Sequence, residues 1–147
     1  MISTKGRYAL RVMLDLAEQP ENTYIPLRDI AARQEISEKY LEIVLKSLVK
    51  AKLLQGLRGK GGGYQLTRTP EEYPVGEILE IAEGPLSSVS CLLPGTDECP
   101  RKKQCRTLPM WSKFDRMVHD FFYDITLADL LKEDAFIQTT HPETSSS

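Results

Sequence analysis

A mainly α-helical fold carrying one small β-hairpin is what this sequence predicts, on three observations. Residues Ser37–Lys52 place Leu41, Val44, Leu45, Leu48 and Val49 at the i, i+3, i+4, i+7, i+8 spacing of one helix face, with Ser37 at the N-cap position. Residues Leu53–Arg68 follow as two short apolar runs around the basic, glycine-rich stretch Arg58-Gly-Lys-Gly-Gly-Gly63, the pattern of a hairpin. From Pro109 to Ile125 the residues Trp111, Phe114, Val118, Phe121 and Ile125 alternate three and four apart, a heptad seam that Met110, Met117 and Phe122 widen. An amphipathic helix leading straight into a basic hairpin is the order of a recognition helix and its wing. The fold class is therefore a winged helix-turn-helix domain followed by a long C-terminal dimerisation helix.

The elements follow in order. Residues 3–18 put Ala9, Val12, Met13, Leu16 and Ala17 on one face of a helix, which Pro20 and Asn22 end. Leu10 and Leu14 add apolar surface beside that face, so this helix is expected to be covered by its own domain and by another subunit. Leu27–Ile36 reads as a short helix with Leu27, Ile30 and Ala31 inward, joined by a brief turn to the Ser37 helix. Two short helices so joined, the second with a polar outer face, make a helix-turn-helix. That outer face shows Lys39, Glu42, Ile43, Lys46 and Lys50.

The hairpin tip sets Arg58 and Lys60 among four glycines, so its backbone can take positive φ and approach another backbone closely. Phosphates or a narrow minor groove suit such a tip. A merely solvated turn would need only a two-residue loop. No Gly-Lys-Ser/Thr and no helix follow, which excludes a nucleotide-binding P-loop. Thr69–Pro74 is a connector with two prolines, and Val75–Gly84 a short helix with Val75, Ile78, Leu79 and Ala82 inward and Gly84 at C′. Thr126 caps a last helix over Leu127–Lys132, and Thr139–Ser147 is a polar tail expected to be disordered.

The chain thus divides into residues 1–84, a DNA-binding domain with its following helix, 85–108, a cysteine-containing loop, 109–133, the dimerisation helix and short C-terminal helix, and 134–147, a flexible tail. Its 147 residues are 41% hydrophobic and 27% charged, ordinary for a globular protein. No apolar run approaches the roughly 18–20 residues that span a membrane, and the N-terminus has no secretory apolar region, so a cytoplasmic location is expected. The net charge of −2 hides a split: residues 1–68 carry 12 Lys and Arg against 7 Asp and Glu, residues 69–147 carry 7 against 14. A basic N-terminal half joined to an acidic C-terminal half points to a nucleic-acid-facing end.

Cys91, Cys99 and Cys105 are the chain's only cysteines and fall in one loop with the spacing C-x7-C-x5-C. An odd number cannot all pair as disulfides. Thiolates are soft ligands for an iron–sulfur cluster, zinc or copper(I), and a loop containing Pro94, Gly95 and Pro100 can turn three of them towards one centre. Three ligands leave a tetrahedral site one short. His119, among Ser112, Asp115 and Arg116 on the polar helix face, and His141 in the tail read as surface residues rather than as the fourth. An incomplete thiolate set suits a labile sensor better than a structural zinc knuckle. No Ser/His/Asp or Cys/His constellation supports an enzyme.

Five motifs, Ser3-Thr-Lys-Gly-Arg-Tyr-Ala9, Ser37-Glu-Lys-Tyr-Leu-Glu42, Arg58-Gly-Lys-Gly-Gly-Gly-Tyr64, Glu83-Gly-Pro85 and Thr126-Leu-Ala-Asp-Leu130, resemble those of the Rrf-two family of bacterial winged-helix regulators. The resemblance runs from residue 1 to about residue 133. It implies a homodimer that crosses its long C-terminal helices between subunits and regulates promoters through roughly palindromic double-stranded DNA. Ser37, Glu42 and Ile43 would then face the major groove and Arg58 the minor groove. In the cluster-binding branch the three cysteines hold an iron–sulfur cluster, and this chain keeps all three. Where one cluster-binding type has a histidine after the third cysteine, this chain has Arg106, Thr107 and Leu108. Where nitric-oxide sensors recruit an acidic residue from the first helix of the partner subunit, this chain has Tyr8. The spacing resembles the iron-responsive members, a pointer to a 4Fe–4S rather than a 2Fe–2S cluster.

The expectation is a dimeric DNA-binding regulator that senses iron–sulfur, iron or redox status. Its DNA contacts would be Ser37, Lys39, Glu42, Ile43, Lys46, Arg58 and Lys60, and its interface Trp111, Phe114, Val118, Phe121 and Ile125. The rival is a cluster-free regulator of cysteine or sulfur metabolism, controlled by a partner enzyme or by thiol oxidation.

Overall fold

The structure, a computed structural model, describes residues 2–93, 95, 100–101 and 103–132. Among these residues six α-helices and a two-stranded antiparallel sheet follow in the order α1 (Thr4–Ala17), α2 (Leu27–Gln34), α3 (Glu38–Lys50), β1 (Leu54–Leu57), β2 (Gly63–Leu66), α4 (Val75–Glu83), α5 (Leu108–Tyr123) and α6 (Leu127–Leu131). This is the winged helix-turn-helix arrangement, with the long helix C-terminal to it. Among the described residues no helix is long and apolar enough to cross a membrane.

Periodicity explains the core. Ala9, Val12, Met13 and Leu16 of α1 meet Leu41, Val44, Leu45 and Leu48 of α3, and all are buried. Each fully buried large aliphatic contributes about 1.5–3 kcal/mol. Val49 is half-buried at the margin. On α4, Val75, Ile78, Leu79 and Ala82 are buried as the spacing predicts, and Gly84 ends the helix with φ +85°.

The expected helix over 27–36 stops at Gln34, because Glu35 takes a left-handed conformation (φ 54°, ψ 45°). The Ile36 amide then donates back to the Ala31 carbonyl at 3.1 Å, which returns the buried Ile36 side chain to the core.

Contacts between distant residues complete the domain. The Asp15 carboxylate, 4% exposed, accepts from Arg33 Nη2 (2.7 Å) and Nε (3.0 Å) and from Gln34 Nε2 (2.9 Å), tying α1 to the end of α2. This hydrogen bonding outweighs the cost of burial and holds the Arg33 guanidinium above its ordinary pKa. Ile25 exchanges two backbone hydrogen bonds with Tyr64, each 2.9 Å, giving the hairpin a one-residue third strand. Gly63 permits that approach, since a Cβ there would strike the Ile25 carbonyl. Tyr73, from the proline-flanked connector, is fully buried. Its hydroxyl donates to the Leu53 carbonyl (2.7 Å) and accepts the Thr67 (2.8 Å) and Arg68 (2.9 Å) amides, closing the base of the wing.

At the other end, Thr126 and Asp129 form a reciprocal capping box on α6. Leu127 is fully buried in the main core, and its amide donates to the Tyr73 carbonyl at 3.1 Å. A second cluster of Val75, Leu79 and Leu86 takes Phe122, Ile125 and Leu130 against it. One edge of α5 and the segment after it thus rest on the N-terminal domain.

Candidate nucleic-acid interface and cysteine loop

The burial of Leu41, Val44, Leu45 and Leu48 turns the opposite side of α3 to solvent. Lys39, Glu42, Ile43, Lys46 and Lys50 are all exposed there, Ile43 to 50%. An isoleucine so exposed on a charged helix face fits contact with a thymine methyl, and a glutamate fits acceptance from a cytosine amino group. Ser37 caps the helix, its hydroxyl accepting from the Tyr40 amide at 3.2 Å. It borders a separate hollow with Tyr8 and Tyr40, whose rings meet edge to face at 5.5 Å.

In the wing, Gly59 (φ 91°) and Gly61 (φ 78°) hold the conformation that lets Arg58 and Lys60 stand exposed at the tip. Between α3 and the wing lies a cleft lined by Glu42, Lys46, Lys50, Arg58 and Tyr64, so three of the predicted residues, Glu42, Lys46 and Arg58, share one concavity. Lys60 lies on the other flank of the tip with Tyr24 and Arg28. Lys39 and Ile43 are on the open helix surface. Sequence reasoning placed Lys50 on the outer face without assigning it a contact, and passed over Tyr24 and Arg28, which only the folded chain brings beside the wing.

The cysteine loop is anchored at its start. The Glu83 carboxylate accepts from the Ser3 amide (2.8 Å), the Ser3 hydroxyl (2.7 Å) and the Gly6 amide (2.7 Å), which fastens the end of α4 to the start of α1. Burial acts to raise the Glu83 pKa, but these three donors together with the positive N-terminus more than reverse it, and the group titrates below the usual range. A few residues on, Asp115 of α5 accepts from the Ser87 hydroxyl (3.2 Å) and the Ser88 amide (2.9 Å). The loop therefore starts from a helix end fixed to α1 and is itself fixed to α5.

Cys91 is exposed within a single 3₁₀ turn, Ser90–Leu92. Cys105 is half-buried just before α5, with Sγ 3.4 Å from Thr107 Oγ1. The Thr107 hydroxyl, then the Thr107 and Leu108 amides and the Arg101 charge, lower the Cys105 pKa and favour its thiolate. Cys99 lies outside the described residues, as do His141 and the predicted tail. Among the described residues no three His, Cys, Asp or Glu side chains gather at one point. His119 stacks on Tyr123 at 4.3 Å, on α5. A soft sulfur at Cys105 whose pKa is lowered and an accessible sulfur at Cys91 are donor chemistry that fits an iron–sulfur cluster.

The predicted seam on α5 divides. Phe114 and Phe121 are exposed, with Met110 and Met117 beside them, while Trp111 and Val118 are half-buried. Ile125 lies past the helix end and packs with Phe122 against Val75, Leu79 and Leu86.

A helix-turn-helix with a cationic outer face, a basic wing beside it and a separate C-terminal helix defines a winged-helix transcriptional regulator. Residues 2–133 match the Rrf2 family model, described as an iron-dependent transcriptional regulator. The HTH-type transcriptional regulator IscR of Vibrio atlanticus is 34% identical over 137 residues, 93% of this chain and 78% of that protein. Among solved structures, T. potens IscR superposes with TM-score 0.69 at 35% identity, covering 94% of this chain and 90% of that one. CymR, the global cysteine regulator of B. subtilis, does so with TM-score 0.72 at 35% identity, covering 90% and 97%. The chain belongs to the Rrf2 family of transcriptional regulators. Its named relatives are regulators rather than enzymes, as the absence of a catalytic constellation in the sequence predicts.

Proposed function

We propose that the protein is a homodimeric, sequence-specific DNA-binding regulator whose affinity for its operators is governed by an iron–sulfur cluster held by Cys91, Cys99 and Cys105. The observation that carries this reading is the position and chemistry of Cys105. It is a thiol just before α5 whose pKa its Thr107 and Leu108 neighbours lower, in a loop that Asp115 ties to α5 and that follows directly on Glu83, which ties the end of α4 to α1. When bound, the cluster supplies a redox- and iron-sensitive centre. The chain's own residues do the rest. A change in the order of residues 85–108 alters the pull on Glu83 and Asp115, and with it the placement of α1 and α5. Glu42 and Ile43 read base edges in the major groove, Lys39, Lys46 and Lys60 contact the duplex, Ser37 sets the helix start, and Arg58 enters the minor groove. Exposed Phe114 and Phe121, with Trp111 and Val118, pack on the same helix of a second chain, while Ile125 supports that helix from its own domain.

The test uses an operator duplex enriched from a random library by the anaerobic protein. Affinity should depend on cluster loading in the wild type, and the dependence should vanish when all three cysteines are replaced by alanine. Persistence in that variant refutes the sensor. Arg58→Ala should weaken operator binding by about 1–3 kcal/mol. The likeness to a cysteine regulator supports a second reading, in which Cys105 is a thiol switch without a cluster. That reading predicts an affinity that responds to mild thiol oxidants and is indifferent to iron.

A further inference from the structure

The wing tip has two flanks, and only one faces α3. On the α3 side the cleft holds Glu42, Lys46, Lys50 and Arg58. On the other side, between the tip and the start of α2, a second cleft is lined by Tyr24, Pro26, Arg28, Gly59, Lys60, Gly61 and Gly62. Gly59 and Gly62 border both, so the tip is a thin ridge with a cationic hollow on either side.

We infer that this second cleft, built by Arg28, Lys60 and Tyr24, binds a backbone phosphate of DNA on the strand away from α3. The inference rests on the DNA-binding reading above and assigns it a further contact. A minor groove is about 6 Å wide and walled on both sides by phosphates, so a tip that enters it meets one backbone on each flank. The α3 flank answers one backbone with Lys46 and Lys50. The far flank answers the other with Arg28, whose side chain is 81% exposed, and Lys60, also exposed.

The donors suit a phosphate. A guanidinium can present two parallel N–H groups to phosphate oxygens, an ammonium adds a point charge, and the Tyr24 side chain offers a hydroxyl. Arg28 also stands in the first turn of α2, where the helix dipole favours an anion and where Pro26, at the N-cap, provides no side-chain acceptor to compete. The acidic neighbour is Asp29, whose Oδ1 lies 3.9 Å from Arg28 Nε, and it leaves the Nη atoms of Arg28 free to turn to the duplex. A phosphate contact made this way positions the wing and reads no base.

The experiment measures affinity against salt concentration for the full-length protein on two duplexes of equal length, the enriched operator and a scrambled sequence. Each phosphate neutralised contributes about 0.9 to the slope of log affinity against log salt, so Arg28→Ala, acting once per protomer, should lower the dimer's slope by about 1.8. Affinity should fall roughly tenfold near physiological salt, by the same factor on both duplexes. Arg28→Lys should keep most of the slope. Lys132→Ala, which removes an exposed cation at the end of α6, should leave it unchanged. An unchanged slope for Arg28→Ala overturns the inference, as does a loss confined to the operator, which would mark Arg28 as a base reader. If the wild type itself fails to distinguish the two duplexes, the sequence-specific reading fails, and the slope on the scrambled duplex still decides the phosphate contact.

Discussion

Removing one hydroxyl, that of Tyr73, should loosen the wing at its base. The oxygen serves three backbone groups: the Leu53 carbonyl before β1, and the Thr67 and Arg68 amides after β2. In Tyr73→Phe the Leu53 carbonyl is left with a share of the Thr67 hydroxyl at 3.2 Å, whose single proton has the nearer Lys52 carbonyl at 2.8 Å. The two amides lose their acceptor beside a ring with no exposed surface. Stranding a buried donor costs about 1–3 kcal/mol, and partial rehydration at the exposed Thr67 returns some of it. The expected destabilisation is about 2–4 kcal/mol, a large share of the 5–15 kcal/mol that holds a typical domain. Urea unfolding followed by circular dichroism at one fixed protein concentration reads it as a lower midpoint at constant m-value. Hydrogen exchange should show faster exchange at Thr67 and Arg68 first. A loss below about 0.5 kcal/mol with both amides still protected would refute this account of the wing base.

Two further outcomes follow from the loop anchors and from α5. Glu83 has a folded pKa below its unfolded value, so its contribution to stability is complete above the ordinary carboxyl pKa and is lost as the pH falls through the lower folded value. The stability gap between wild type and Glu83→Gln, about 1–2 kcal/mol at neutral pH, should therefore close on acidification, as urea titrations at several pH values will show. Phe114→Lys with Phe121→Lys, at exposed positions on α5, should leave the fold intact and convert the dimer to monomer in sedimentation analysis, with operator affinity falling because two half-sites are no longer joined.

Periodicity made most of the frame legible. The inward faces of α1, α3 and α4 are where apolar spacing places them, and the glycine-rich stretch is the tip of a hairpin whose strands pair Leu54 with Leu66 and Leu57 with Gly63. What stayed hidden depends on partners far along the chain. Asp15 sits between two leucines and gives no local sign that Arg33 and Gln34 will bury it. Tyr73 lies between prolines in a segment that reads as a turn, yet among the described residues it is the largest fully buried side chain. A one-residue strand at Ile25 has no pattern to detect. The heptad seam ending at Ile125 is regular in sequence, but α5 ends at Tyr123 and the chain turns Ile125 onto its own domain, because Phe122 and Ile125 find Leu79 and Leu86 there. For the candidate site, the cations of α3 and the wing were legible as residue types. Their division into two clefts on either side of the tip was not, since it arises from Tyr24 and Arg28 folding beside Lys60.

The most direct measurement is made on protein purified without oxygen: visible absorbance together with iron and acid-labile sulfide per chain. The account predicts a coloured protein with stoichiometric iron and sulfide, and a colourless one when Cys91, Cys99 and Cys105 are replaced by alanine. A colourless wild-type protein that takes up no cluster on reconstitution would contradict it.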